Sequence, residues 1–175
     1  AVMDKVEPVL EEISHDDYVA VPANLNSQEQ VVLSGDAEAL KEAVERLKGV
    51  GYKKAVFLNV SGPFHSPLMK PAAEKLKEEL GRLVTGPLQT PVVCNVDAAA
   101  ETRSEAVRDK LYRQMFSPVR GEESVRTMVA AGAGGFLEVG PQKVLSNLIK
   151  RIEPAVPVAN IETIEQIETL KGEHI

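Results

Sequence analysis

Apolar residues recur along this chain with two periods, and the alternation between them outlines the fold. Over residues 4–14, Val6, Val9, Leu10 and Ile13 keep helical spacing. The stretches 18–25 (YVAVPANL) and 29–34 (EQVVLS) are rich in strand formers and are separated by the polar turn Asn26-Ser27-Gln28. Asp36 fits the N-cap of a helix that carries Leu40, Val44 and Leu47 on one face and ends near Gly49 and Gly51. KKAVFLNV (53–60) reads as a further strand. If the apolar start Ala1-Val2-Met3 closes a strand, the order is β-α-β-β-α-β, the ferredoxin-like split pattern, over residues 1–60.

After residue 60 the pattern changes. A helix over 67–81 is followed by a short strand at 91–96, helices near 104–115 and 121–131, and a strand at 136–139. A helix over 142–152, a strand at 157–160 and a last helix over 162–171 complete the chain. Strands alternating with helices predict an α/β region with a mostly parallel, covered sheet over residues 61–175. The strands are too few for a complete doubly wound sheet, so the rest are expected upstream of residue 1. A start without methionine, already in mid-strand, also reads as a fragment. Neither an internal repeat nor a low-complexity linker interrupts the chain.

Charge narrows the function classes. A net charge of −6 disfavours nonspecific binding to nucleic acid or to an anionic membrane. No apolar run approaches the roughly 20 residues that span a bilayer. The single cysteine, Cys94, excludes an intrachain disulfide framework and lies in the apolar run PVVCNV, where it reads as a small core residue. A reducing, cytoplasmic setting is the default.

Of the three histidines, His174 lies in the final residues and His15 in an Asp-rich turn, both surface positions by pattern. His65 differs. Gly62 and Pro63 end the preceding strand, Ser66 fits an N-cap and Pro67 the first helical position, with Leu68, Met69, Ala72, Ala73, Leu76 and Leu80 as the apolar stripe. His65 thus stands at the carboxyl end of a strand and just outside a helix N-terminus, where catalytic groups gather in open α/β sheets. The positive end of the helix dipole favours neutral imidazole, the form a base needs. By local pattern alone, His65 reads equally well as a packed turn residue.

The segment VSGPFHSPLMKPAAEKLKEEL (60–80) resembles the histidine motif of the malonyl-CoA:acyl carrier protein transacylases. In the same order, ANLNSQEQVVLSG (23–35) is similar to that family's Asn-rich hairpin and PVVCNVDA (91–98) to a later active-site strand. RQMFSPVRGEESV (113–125) resembles its Arg-Gln-x-x-x-Pro-Val segment, and FLEVGPQKVLSNLIKRI (136–152) its Glu-x-Gly-Pro-x-x-x-Leu turn. The resemblance implies a ferredoxin-like small subdomain (1–60) inserted in an α/β-hydrolase-like acyltransferase core, whose C-terminal portion is 61–175. It also implies ping-pong transfer of malonyl from malonyl-CoA, through a serine, to the phosphopantetheine thiol of acyl carrier protein. His65 would be the general base, oriented by the main-chain carbonyl of Gln114. Asn26 would lie near the site, although it serves equally well as an Asx-turn residue. Phe64 would exclude an α-methyl group, or simply pack in the core. Coenzyme A enters as part of a substrate; no cofactor or metal is implied.

Several departures limit what this chain carries. No serine has a glycine two residues before it, so the family's Gly-x-Ser-x-Gly elbow is absent. Nothing matches the family's malonyl-gripping arginine. Gly121 stands where a large aromatic is expected, and Gln28 replaces a hairpin proline. Ser66 reads as a helix cap rather than a nucleophile. Lys70, Lys75 and Lys77 are candidates for docking an acidic carrier protein, against the more ordinary role of solvated helix-face lysines. Two alternatives stand beside the discrete enzyme: an acyltransferase module of a polyketide synthase, and a non-catalytic ferredoxin-like binding module.

Overall fold

A computed structural model describes residues 2–52 and 54–172. The chain is α/β and divides into two compact units, residues 1–124 and 125–175. Among the described residues the strands form three separate two-stranded sheets.

In the first unit, helix α1 (Met3–Ile13) buries Val6, Val9, Leu10 and Ile13. Strands β1 (Ala20–Ser27) and β2 (Gln30–Gly35) pair antiparallel, with Ser27 opposite Gln30 at the turn. Helix α2 (Ala37–Gly49) buries Ala39, Ala43 and Leu47, and its two alanines let it approach closely. One core joins these four elements through Val6, Leu10, Ile13, Ala20, Ala39 and Ala43. This is the middle of the expected β-α-β-β-α-β order.

Asp36 does occupy the N-cap position of α2, but its side chain makes no cap bond. Its carboxylate instead accepts from the Val19 backbone N–H at 2.8 Å, and its own N–H donates to the Val19 carbonyl at 2.8 Å. This two-way clamp ties the start of α2 to β1. Gly35 makes it possible: a Cβ there would sit 1.8 Å from the Val19 carbonyl oxygen, at a φ of +153°.

The expected strand over 53–60 is not formed by residues 54–60; Lys53 lies outside the described residues. Val56, Phe57, Leu58 and Val60 are 82%, 61%, 59% and 60% exposed. Adjacent apolar residues point to both faces of a strand, the signature of one covered on both sides. Such a strand depends on neighbours for its backbone bonds, and no described strand lies beside it.

A 3-10 turn (Pro67–Met69) leads into helix α3 (Lys70–Arg82). Strands β3 (Val92–Cys94) and β4 (Ala99–Glu101) then make an antiparallel hairpin, followed by helix α4 (Ser104–Gln114) and helix α5 (Gly121–Ala130). The hairpin corrects the expectation of a mostly parallel sheet. Its turn places Ala98 at φ +53° and is braced by the Ala99 N–H donating to Asp97 Oδ1. Without a glycine at that left-handed position, the turn carried no strong sequence signal.

In the second unit, β5 (Phe136–Val139) and β6 (Val158–Ile161) pair in parallel, joined through helix α6 (Val144–Ile152). Ile149 and Ile152 pack with Val125, Phe136 and Val158. Helix α7 (Ile164–Gly172) follows. Glu138 caps α6, accepting from the Leu145 and Ser146 N–H groups at 2.9 and 2.8 Å and from the Ser146 hydroxyl. The Ser146 hydroxyl, followed by these N–H groups, holds the Glu138 carboxyl below its ordinary range against the opposing effect of burial. No helix among the described residues is long and apolar enough to cross a membrane.

Candidate functional site

The site grows from the broken backbone at residues 61–69. Pro63 turns the chain, and its carbonyl accepts the Ser66 hydroxyl at 2.6 Å. Ser66 is fully buried, and its carbonyl accepts from the Met69 N–H at 3.0 Å. Ser66 precedes the 3-10 turn as expected, yet its side chain caps nothing and closes the Pro63–Ser66 turn instead. The α-helix begins only at Lys70, so the dipole argument for His65 loses most of its geometry.

Hydrogen bonding fixes His65 more directly. Its φ is +60°, a left-handed conformation that costs a non-glycine residue about 1–2 kcal/mol. The surroundings hold it there. The His65 N–H donates to the Met115 carbonyl at 3.2 Å, and ring Nδ1 lies 2.9 Å from the Gln114 carbonyl oxygen. A carbonyl oxygen only accepts, so Nδ1 carries the hydrogen. In the neutral ring the lone pair is then on Nε2, which is available as a base. Protonation at Nε2 leaves the Nδ1 bond intact, so the ring gains a proton without losing its anchor.

Gln114 is the last residue of α4, and helix-terminal carbonyls have no intrahelical donor. That leaves its carbonyl free for His65. The Gln114 side chain closes the loop beyond it, with Nε2 donating to the Ser117 carbonyl at 3.0 Å and to the Pro118 carbonyl at 3.4 Å. Gln114 Nε2 also lies 3.4 Å from His65 Nδ1, but a ring nitrogen that donates to the carbonyl cannot accept from the amide. The 2.9 Å carbonyl contact is the shorter and governs.

The following segment is pinned from two sides. Val119 donates to Ala23 and accepts from Leu25, both at 2.8 Å, and the Arg120 N–H donates to the Asn95 carbonyl at 2.9 Å. These bonds bring the end of β1 against residues 119–121. A Cβ on Gly121 would lie 3.3 Å from the Leu25 carbonyl oxygen and 4.0 Å from Asn26 Oδ1, so this position faces the hairpin rather than a void. Asn26 therefore stands beside the segment that follows Gln114. Phe64 is 44% exposed, with its ring over Gly62, and lies outside the core. A cavity of about 150 Å³, lined by Val2, Leu25, Gln28, Val31, Glu122 and others, lies by the hairpin and does not include His65.

Two of the three lysines singled out lie over aromatic rings of α4 and the turn after it. Lys77 Nζ is 4.8 Å from the Tyr112 ring centre and Lys70 Nζ is 5.9 Å from that of Phe116; Lys75 is exposed. His15 stacks on Tyr18 in a surface turn, and His174 lies outside the described residues. Cys94 is buried, and burial pushes its thiol up, away from reactive thiolate. No group of three or more His, Cys, Asp or Glu among the described residues is placed to hold a metal.

Pattern reading missed the charge network under α4. Lys110, whose side chain is 11% exposed, lies 3.0 Å from Asp97 and 3.8 Å from Glu101, both from the β3–β4 hairpin. The Arg103 side chain, with the Arg103 and Thr102 N–H groups, brings Glu101 down from 4.5 to about 2. Burial alone would raise Asp97, but the Lys110 hydrogen bond, the Ala99 N–H and the nearby cations outweigh it and leave the carboxyl below its ordinary value. Depressed carboxyls stabilise the fold above their unfolded values and lose that contribution as pH falls through the folded ones. Amide protection factors at residues 98–102, taken relative to the intrinsic exchange rate at each pH, are therefore expected to hold down to about pH 4.5 and to fall progressively toward pH 2. Unchanged protection at pH 2 would contradict this.

The profile of the acyl transferase domain matches residues 1–174. The malonyl CoA-acyl carrier protein transacylase of Bacillus subtilis is 42% identical over 98% of this chain and 55% of its own length. A malonyl-transacylase solved in complex with its type II PKS acyl-carrier protein is 38% identical, with a TM-score of 0.89 over 97% of this chain and 55% of that one. The transacylase of Streptococcus pneumoniae is 35% identical, with a TM-score of 0.89 over the same shares. The chain thus spans about half the length of the relatives it matches. From end to end of that half, it belongs to the acyl transferase domain family.

Proposed function

We propose that this chain supplies the general-base portion of a malonyl-CoA:acyl carrier protein transacylase. The observation that carries the reading is a histidine whose Nδ1 is committed to the Gln114 carbonyl, leaving Nε2 to move a proton. In the first half-reaction, Nε2 takes the proton of a serine hydroxyl as the oxygen attacks the thioester carbonyl. The coenzyme A sulfur leaves and is reprotonated from His65. In the second half-reaction, the phosphopantetheine thiol gives its proton to Nε2 and attacks the malonyl-serine ester, and the serine oxygen recovers the proton. The serine is not among the 175 residues in a Gly-x-Ser-x-Gly setting, so it has to come from sequence outside this chain.

The finer architecture belongs to the same proposal. Residues 1–60 form a ferredoxin-like small subdomain, supported by the single core of α1, β1, β2 and α2. Residues 61–175 form the C-terminal portion of an α/β-hydrolase-like large subdomain. The apolar segment 54–60 then finds strand partners in sequence outside this chain, as its two-faced pattern asks. Asn26 and Phe64 face the substrate, no cofactor takes part, and the setting is cytoplasmic, where coenzyme A thioesters are available.

Joining this chain to the remaining part of the Bacillus subtilis relative tests the proposal. The joined protein is expected to form a malonyl-enzyme and pass it to holo acyl carrier protein, whereas the 175 residues alone form none. Phe64→Ser in the joined protein is expected to raise methylmalonyl transfer relative to malonyl by about 10-fold, in keeping with methylene-sized discrimination. An adduct on the 175 residues alone, or no transfer by a folded joined protein, would overturn the reading.

A further inference from the structure

We propose that Lys110 is a positioning residue for His65: clamped by Asp97 and Glu101, it fixes the end of α4 so that the Gln114 carbonyl meets ring Nδ1. This rests on the proposed role of His65 as the base.

The Gln114 carbonyl works only if it points steadily at one ring atom, yet it belongs to the last residue of a helix, where ends fray. Lys110 precedes Gln114 by one helical turn, on the same face. Its Nζ lies 3.0 Å from Asp97 in the β3–β4 turn and 3.8 Å from Glu101 at the end of β4. Arg113 Nη2 adds a weaker tie to Asp97 at 3.8 Å. Beyond Gln114, the Arg120 N–H donates to the Asn95 carbonyl of the same hairpin turn. The hairpin therefore grips the chain both before and after the two carbonyls, of Gln114 and Met115, that hold His65.

A partly exposed ion pair such as Lys110–Asp97 adds little net stability, so its proposed contribution here is geometry. Lys110 can be removed without stranding its partners. Glu101 keeps Arg103 and the Thr102 N–H, and Asp97 keeps the Ala99 N–H and Arg113. Lys110→Met, which preserves the buried stem, therefore separates orientation from folding.

Long-range proton–nitrogen NMR of the His65 ring in the 175-residue chain reads the tautomer directly. The wild type is expected to hold a single Nδ1–H form. Lys110→Met is expected to give a mixture of tautomers with only a small change in melting temperature, and Lys110→Arg to restore the single form. In the joined protein, Lys110→Met is expected to lower kcat about tenfold at unchanged KM, a partial loss of general-base catalysis. An unchanged Nδ1–H tautomer in folded Lys110→Met overturns the proposal. If that variant does not fold, the milder Asp97→Asn is read in the same way, and an unchanged tautomer there is equally fatal. Failure of the base role of His65 itself looks different: His65→Ala would then leave acyl transfer intact.

Discussion

Replacing His65 by alanine in the protein joined to the remaining part of the Bacillus subtilis relative is expected to lower kcat by at least about 100-fold and to leave KM within a few-fold. In the proposed mechanism the ring meets reacting atoms only through Nε2, as a proton acceptor in each half-reaction. Its loss therefore removes stabilisation that exists in the transition state and not in the bound substrate. A hundredfold loss corresponds to about 2.7 kcal/mol of barrier. Folding is expected to change little, because His65 is half-buried and the Met115 carbonyl still has the backbone N–H of residue 65 as its donor. Steady-state transfer to holo acyl carrier protein, with melting temperature as the control, checks this. A fall of less than tenfold in a folded variant would remove His65 from the chemistry.

Gly35→Ala carries the largest expected effect on stability, about 3 kcal/mol. The added methyl would lie 1.8 Å from the Val19 carbonyl oxygen, 2.7 Å from its carbon and 3.0 Å from Ala20 Cα. All three are backbone atoms of the strand entrance, so no side chain can swing away. Relief requires β1 to move off β2, which breaks the paired bonds between Val19 and Asp36 and uncovers Ala20 in the core. Domains of ordinary size hold about 5–15 kcal/mol in total. Urea unfolding of wild type and variant measures the difference. A loss below about 1 kcal/mol would mean that this junction yields freely.

What the sequence discloses depends on where each structural cause lies. Helix α1 was legible because Val6, Val9, Leu10 and Ile13 repeat at helical spacing and all four are buried. In α2 the spacing of Leu40, Val44 and Leu47 marked the helix, but of these only Leu47 is buried, and Ala39 and Ala43 complete the packed face. The apolar character of 54–60 was legible too, but a strand is made by its neighbours, and pattern says nothing about whether they are present. β4 was hidden: Ala99, Ala100 and Glu101 have no strand preference, and their pairing is imposed by a turn with alanine in a left-handed conformation. Asp36 and Ser66 were placed correctly at helix starts and misjudged in partner, since a short polar side chain chooses among nearby donors and acceptors by fractions of an ångström. His65 was legible as a candidate, and family resemblance pointed to Gln114. The carbonyl of Gln114 is a main-chain atom and has no residue signature of its own. The network of Asp97, Glu101 and Lys110 joins residues 9–13 positions apart across a hairpin and a helix, where no periodicity marks it.

The base role stands or falls with the ring of His65, and NMR of nitrogen-labelled wild-type chain at neutral pH reads it without any substrate. The expected spectrum has Nδ1 protonated and Nε2 bare, as a 2.9 Å approach to a carbonyl oxygen requires. A ring protonated at Nε2 alone would put its lone pair against the Gln114 carbonyl and contradict the assignment of His65 as the base.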